Sequence, residues 1–148
     1  MQNRQWIPHV TVATVVFHDG RYLLVEELDN GCHVLNQPAG HLEADETLID
    51  AAARETLEET GWEVQIEAVL GASLFHSSQT GISYYRTSFL ARPLRHHAAQ
   101  ALDKEIVAPH WMSYQEIIDS RARLRSESVL ATIEQHRARD GTHDRTVR

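Results

Sequence analysis

The chain has 148 residues, of which 42% are hydrophobic and 24% are charged, and this size and composition predict one globular domain with a hydrophobic core. The net charge of −7 argues against binding of nucleic acid through a broad cationic surface, and no apolar stretch is long enough to span a membrane. The single cysteine, Cys32, excludes an internal disulfide, and the N-terminus lacks the apolar run of a signal peptide. We therefore expect a cytoplasmic protein, with a monomer as the default and a dimer as the alternative.

Strand signals dominate the first forty residues. Residues 8–17 are rich in Val and Thr, and the Asp19-Gly20 pair predicts a tight turn into a returning strand over residues 21–27. A short third run covers residues 33–37, and we predict that the following segment, which contains Gly40, is a loop.

The segment 46–60 has the start and stop signals of a helix, with Asp45 as the predicted N-cap and Gly61 just past the end. An apolar stripe is predicted on one side, made of Leu48, Ile49, Ala52, Ala53, Thr56 and Leu57. Glu55, Glu58 and Glu59 fall together at the border of this stripe. Like charges at these spacings weaken a helix by roughly 0.2–0.5 kcal/mol per pair, so a compensating interaction is expected.

The second half of the chain predicts three more strands, over residues 62–75, 82–94 and 107–113. Two helices are predicted over residues 113–120 and 126–139, the first with a capping box between Ser113 and Glu116, and residues 140–148 are predicted to be a disordered tail. Antiparallel strands interspersed with helices indicate an α/β or α+β sandwich formed by residues 1–139.

The residues GHLEADETLIDAAARETLEETGW, numbers 40–62, resemble the signature of the Nudix hydrolases, G-x5-E-x7-R-E-U-x-E-E-x-G-U, in which U is apolar. All glycine and charged positions match. The departure is Thr56, which stands where an aliphatic residue is usual and affects core packing rather than metal chemistry. The resemblance implies an α/β/α sandwich with a mixed sheet, in which the signature forms a loop-helix-loop.

The residue types fit this implication. Hard cations such as Mg²⁺, or alternatively Mn²⁺, prefer oxygen ligands, and carboxylates three and four residues apart converge on one side of a helix. A bound cation would relieve their repulsion and could activate water for attack at phosphorus.

By resemblance, Glu55, Glu58 and Glu59 are metal-site residues with catalytic roles, Gly40 adds its carbonyl, and Arg54 and Glu46 are structural partners. Family members often supply a further acid before a late strand, for which Glu105 is the first candidate and Asp103 the second. The glutamate that acts as general base is left open, because family members differ.

Substrate contacts are predicted from the strand over residues 82–94. Arg86 lies in its middle, where a cation is unusual unless it faces a cleft, and a guanidinium suits phosphate oxygens. Tyr84 and Phe75 could stack on a heterocycle, although aromatic residues in strands more often pack in the core.

Four further stretches, near residues 8–16, 36–55, 111–117 and 124–129, look like the NudJ-type phosphatases of this family. The resemblance implies an Mg²⁺-dependent hydrolase that releases orthophosphate from nucleoside di- and triphosphates and from thiamine or hydroxymethylpyrimidine pyrophosphates. The alternative is a pyrophosphohydrolase of an oxidised nucleotide, ADP-ribose or a dinucleotide. A binding module without turnover is disfavoured, since such a module would have no reason to keep three mutually repelling glutamates.

Overall fold

The computed structural model describes the backbone of residues 5–147 and the side chains of residues 5–140. The strands are β1 (His9–His18), β2 (Arg21–Asp29), β3 (Cys32–Asn36), β4 (Ala39–His41), β5 (Trp62–His76), β6 (Ser83–His96) and β7 (Ile106–Ser113). The helices are α1 (Leu48–Thr60), α2 (Tyr114–Asp119) and α3 (Glu127–Val147), with a short 3-10 turn at Arg121–Arg123. No described helix is long and apolar enough to cross a membrane.

The strands form one mixed sheet around β1, in the order β3-β2-β1-β6-β5. Strand β1 runs parallel to β6 and antiparallel to β4, with Val12 opposite both Thr87 and Gly40. At its far end β1 turns tightly into β2, which then pairs with β3 and β7. The predicted mixed sheet is confirmed.

Alternation along β1 assigns its two faces to different helices. Val12 packs in a cluster with Ala51 and Ala52 of α1, whereas Val15 belongs to a cluster with Val129 and neighbouring residues of α3. Successive strand residues point to opposite faces, so the sheet lies between α1 on one side and α3 on the other. This is the expected sandwich, and it fixes α1 against the strands that form the site.

The N-terminus of α1 differs from the prediction. Thr47 is the N-cap, because its side chain accepts a hydrogen bond from the Asp50 backbone N–H at 3.1 Å. Asp45 instead occupies a turn with φ +65°. The C-terminus agrees with the prediction, since Gly61 adopts φ +77° and its N–H bonds the Leu57 carbonyl.

Other elements depart from the prediction in detail. The segment around Gly40 was predicted as a loop but forms strand β4, because its backbone pairs with β1. The capping box of Ser113 and Glu116 is confirmed. Helix α3 continues to Val147, past residue 139, where the sequence predicts that the last helix ends; the extent of the domain and of the tail over residues 140–148 stays a prediction.

Candidate active site

Three carboxylates meet where the second half of α1 approaches the loop between β6 and β7. Oxygen atoms of Glu55, Glu58 and Asp103 all lie within 4.8 Å of one another. The Asp103 backbone N–H donates to the Glu58 carbonyl oxygen at 3.2 Å, which holds the loop against the helix. An all-oxygen, partly buried set of this kind fits a hard divalent cation such as Mg²⁺ or Mn²⁺.

Gly40 of β4 lies directly against this group. A Cβ atom at this position would fall 2.1 Å from Cδ of Glu55, which no real contact permits. The absence of a side chain at Gly40 therefore lets the Glu55 carboxylate lie over the strand. This contact brings the backbone of β4 to the edge of the carboxylate group.

Arg54 links the carboxylates of this region. Its guanidinium donates to both oxygens of Glu46, at 2.9 and 2.7 Å, and also reaches Glu55 at 2.9 Å and Glu58 at 3.2 Å. A fifth bond, at 3.0 Å, ends on the His41 carbonyl. The two-pronged pairing with Glu46 lowers the pKa of that carboxyl. Arg54 thus offsets part of the repulsion that the glutamate spacing creates.

Glu59 occupies a different environment from the other two helix glutamates. Its side chain is only 6% exposed and its Oε1 accepts a hydrogen bond from the Ala39 backbone N–H at 2.9 Å. Burial raises the pKa of Glu59 to about 9. Glu59 is not in the group of Glu55, Glu58 and Asp103, so its role as a metal ligand stays a prediction, as does that of the Gly40 carbonyl.

Burial also raises the pKa of Glu55 and of Asp103, and in both cases the negative charge of Glu58 adds to the effect. The site therefore disfavours its own negative charges. A cation bound between these oxygens would reverse this preference, because an opposite charge at short range stabilises the ionised form. The electrostatics agree with the chemistry of the donor set.

A cavity of about 380 Å³ is lined by Ala39 and Gly40 of β4, the strand that the Glu55 carboxylate overlies. Arg86 lies in its wall, 9% exposed, and its Nη2 donates to Oε1 of Gln37 at 2.6 Å. The rings of Tyr84 and Phe75 stack against each other at 5.1 Å between centroids and also line the cavity. Phe75 is 46% exposed, so this pair belongs to the cavity wall rather than to the core.

The loop before β7 contains the two acids that the sequence offered as a further member of the site, and the structure favours the second of them. Asp103, the second candidate, joins Glu55 and Glu58. Glu105, the first candidate, has an exposed side chain and contributes a backbone carbonyl to Leu28 at 3.0 Å. Its catalytic role stays a prediction. Only the conformation of the loop separates two acids that are two residues apart.

Two residues of the cavity were not predicted from the sequence. Arg125 follows the short 3-10 turn and lines the same cavity as Arg86. Gln37 is 1% exposed and orients Arg86. The signal for Gln37 was weak, because a single amide at the end of a short apolar run is typical of a loop. Arg125 stood among several other arginines with nothing to distinguish it.

This geometry is that of the Nudix fold. A family model described as NUDIX domain matches residues 7–133, and the chain belongs to the Nudix hydrolase family, whose members act on phosphoanhydride bonds. The phosphatase NudJ of Escherichia coli strain K12 is 41% identical over 126 residues, covering 85% of this chain and 81% of that protein. The phosphatase NudJ of Shigella flexneri matches to the same extent.

Solved structures give the same family. A NUDIX hydrolase from Nitrosomonas europaea superposes with a TM-score of 0.86 at 40% identity, covering 89% of this chain and 90% of that one. The E. coli ORF135 protein, at 21% identity, shares the fold with a TM-score of 0.71 over 90% of this chain and 91% of its own. Nudix hydrolases generally use divalent metals, in agreement with the acidic group described above.

Proposed function

We propose that the protein is an Mg²⁺-dependent phosphatase that removes the terminal phosphate from nucleoside di- and triphosphates and from thiamine or hydroxymethylpyrimidine pyrophosphate. The observation that carries the proposal is the group formed by Glu55, Glu58 and Asp103 beside a cavity that contains Arg86. The group suits a hard cation, either Mg²⁺ or, as the alternative, Mn²⁺. The cavity has room for the remainder of a small substrate.

Glu55, Glu58 and Asp103 would hold the cation, which when bound supplies positive charge to phosphate oxygens and lowers the pKa of a bound water. Arg54 fixes the orientation of Glu55 and Glu58 through its bonds to both carboxylates. Gly40, which has no side chain, leaves room for the Glu55 carboxylate over β4.

Arg86 and the ring of Tyr84 would contact the substrate on the cavity side. A guanidinium donates to phosphate oxygens, and an aromatic face accepts a nucleobase or another heterocycle. The proposed substrates share these two features, a phosphate chain joined to a heterocyclic group. The cavity that adjoins β4 presents both kinds of partner within one space.

The phosphatase proposal gains support from the relatives named as phosphatases, which are 41% identical to this chain. The competing activity is pyrophosphohydrolysis of another nucleotide derivative. The products distinguish the two activities, because a terminal phosphatase releases orthophosphate directly. A pyrophosphohydrolase releases pyrophosphate from a triphosphate, and two monophosphates from ADP-ribose or a dinucleotide.

The experiment is a product assay with Mg²⁺ on GTP, GDP, thiamine pyrophosphate and ADP-ribose, with and without inorganic pyrophosphatase. We expect orthophosphate from GTP, GDP and thiamine pyrophosphate without the helper enzyme. Orthophosphate that appears only with the helper enzyme, or cleavage of ADP-ribose alone, would replace the phosphatase with a pyrophosphohydrolase.

We also propose a cytoplasmic monomer that acts on small molecules and binds neither nucleic acid nor membrane. The net charge of −7 supports the absence of nucleic-acid and membrane binding, because a polyanion would be repelled over much of the surface. Sedimentation of the purified protein at several concentrations tests the monomer, and a mass that doubles as the concentration rises would contradict it.

A further inference from the structure

We propose that Arg125 forms, together with Arg86, a two-guanidinium subsite that binds a phosphate group of the substrate and selects for ligands with at least two phosphates. The inference rests on the proposed function, since it concerns the cavity beside the carboxylate group. It assigns to Arg125 the role of a specificity-determining residue.

Arg86 is a buried cation without a carboxylate partner. It is 9% exposed, it forms no ion pair with the described residues, and its polar partner is the neutral side chain of Gln37. Its Nε and the Nε2 of Gln37 are buried and make no hydrogen bond within the described part of the chain. Burial of a charge that no carboxylate contacts is costly, so an anion that entered this cavity and accepted hydrogen bonds from Arg86 would be stabilised.

Arg125 lines the same cavity as Arg86, and it is held at two points. Its backbone N–H donates to the Leu35 carbonyl at 2.8 Å, and its Nη1 bonds the carboxylate of Glu27. Glu27 is itself 5% exposed and accepts a second bond from Asn36 at 3.2 Å. The anchor of Arg125 is therefore rigid.

The other donors of Arg125 are free to bind a ligand. Among the described residues its guanidinium is bonded only through Nη1, and the side chain is 47% exposed, with Ser126 beside it in the cavity wall. A guanidinium fixed on one edge by a carboxylate presents its remaining N–H groups in a defined direction. This arrangement matches the fork geometry by which arginine binds phosphate oxygens.

The charge balance favours an anion between the two arginines. The positive charge of Arg125 adds to burial in lowering the pKa of Arg86, so the two guanidinium groups repel each other. The negative charges of Glu27 and Glu59 act in the other direction on the pKa of Arg86, but burial and Arg125 outweigh them, and Glu27 is hydrogen-bonded to Arg125 rather than to Arg86. A phosphate carrying close to two negative charges would offset the repulsion and supply acceptors to both groups.

A structural role for Arg125 is the competing explanation, since Leu124 bridges to Leu35 of β3 next to it. A purely structural arginine would affect the melting temperature without changing affinity for a diphosphate. Arg123 provides a matched control, because it lies two residues away, is half exposed, approaches Glu26 at 3.9 Å and does not line the cavity.

The test is calorimetric binding of methylenediphosphonate, whose P–C–P link is not hydrolysed, to the full chain at low ionic strength. We expect Arg125→Gln and Arg86→Gln each to weaken binding by about tenfold, the loss typical of one or more charge-assisted hydrogen bonds. Arg123→Gln should bind as the wild type does. Arg125→Lys, which keeps the charge without the fork, should give an intermediate affinity, and melting curves establish that each variant is folded.

Repeating the titration in EDTA separates this inference from the proposed function. A loss of affinity for methylenediphosphonate in Arg125→Gln, both with and without EDTA, supports the subsite even if no substrate is hydrolysed. Equal affinity of wild type and Arg125→Gln overturns the subsite, even if GDP and thiamine pyrophosphate are cleaved as proposed. A lower melting temperature with unchanged affinity also overturns it and assigns Arg125 a structural role.

Discussion

The Oγ1 atoms of Thr14 and Thr56 lie 2.8 Å apart between β1 and α1, and both side chains are fully buried. Thr56 in turn donates to the Ala52 carbonyl at 2.7 Å, so its hydroxyl accepts the hydrogen bond from Thr14. This pair explains the departure of Thr56 from the aliphatic residue that the Nudix signature usually has. The strand residue that faces this position carries a hydroxyl of its own.

Replacement of Thr56 by valine, the aliphatic type usual at this position, should destabilise the protein. The hydroxyl of Thr14 would remain buried without a partner, at a cost of about 1–3 kcal/mol in the free energy of unfolding. The double variant Thr14→Val, Thr56→Val removes both partners and should recover most of the loss. Urea denaturation measures both effects, and strict additivity of the two single substitutions would contradict the coupling.

The raised pKa of Glu59 makes the stability of the metal-free protein depend on pH. The carboxyl has a pKa of about 9 in the folded state and about 4.5 when unfolded. The stability that its protonated form contributes is complete below pH 4.5 and is lost progressively as pH rises to about 9. In EDTA, the melting temperature should therefore fall between pH 7 and 9.

Glu59→Gln is the control for this pH dependence, since glutamine keeps an acceptor for the Ala39 N–H and cannot ionise. In EDTA we expect its melting curve to change less between pH 7 and 9 than that of the wild type. We also expect a loss of turnover of about 100-fold or more with Mg²⁺, because an amide is a poor ligand for a hard cation. Parallel pH profiles for the two proteins would show that Glu59 is ionised throughout.

Asp103 and Glu105 can be separated by matched substitutions. We expect Asp103→Asn to lower kcat/KM by about 100-fold, because a carboxylate of the group that would hold the cation is lost. Glu105→Gln should change it by less than about threefold, as is typical of an exposed side chain. The opposite ranking would restore Glu105, the first candidate from sequence, as the catalytic acid.

Within the candidate site, the sequence predicted which residues lie together where they share one helix or one motif. The spacing of Glu55 and Glu58 placed both carboxylates on one helix side, and the partnership of Arg54 with Glu46 followed from the signature. The predicted apolar stripe was wrong at Ile49, which is 54% exposed. Periodicity locates an apolar stripe to within about one residue. The side of α1 that is buried is set by how the helix packs on the sheet.

The packing of α1 on the sheet, which exposes Ile49, also explains why Glu59 is buried. Ala52, Thr56 and Glu59 share the side of α1 that faces the sheet, although the sequence placed Glu59 with Glu58 at the border. Sequence separation gave no sign of the proximity of Arg125 to Arg86, because the two arginines lie on elements that meet only through tertiary packing. Local spacing predicts neighbours on one helix, whereas contacts between distant segments depend on the assembled sheet.

Binding of Mg²⁺ should stabilise the folded protein. A ligand that binds only the folded state at 100 times its Kd adds about 2.7 kcal/mol, which for a domain of this size raises Tm by several degrees. We expect this rise in the wild type and its loss in Asp103→Asn, while Glu105→Gln keeps it. Equal Tm values for the wild type in EDTA and in Mg²⁺ at low salt would contradict a metal site at Glu55, Glu58 and Asp103.

Gly40→Ala separates the position of Glu55 from its charge. The added methyl would lie 2.1 Å from Cδ of Glu55, at the mobile end of a flexible side chain, so the carboxylate can move aside without disturbing the core. We therefore expect a metal-free Tm close to that of the wild type and a weaker stabilisation by Mg²⁺. Because no charge is removed, a full Mg²⁺ response in this variant would show that the contact between Gly40 and Glu55 does not position the metal site.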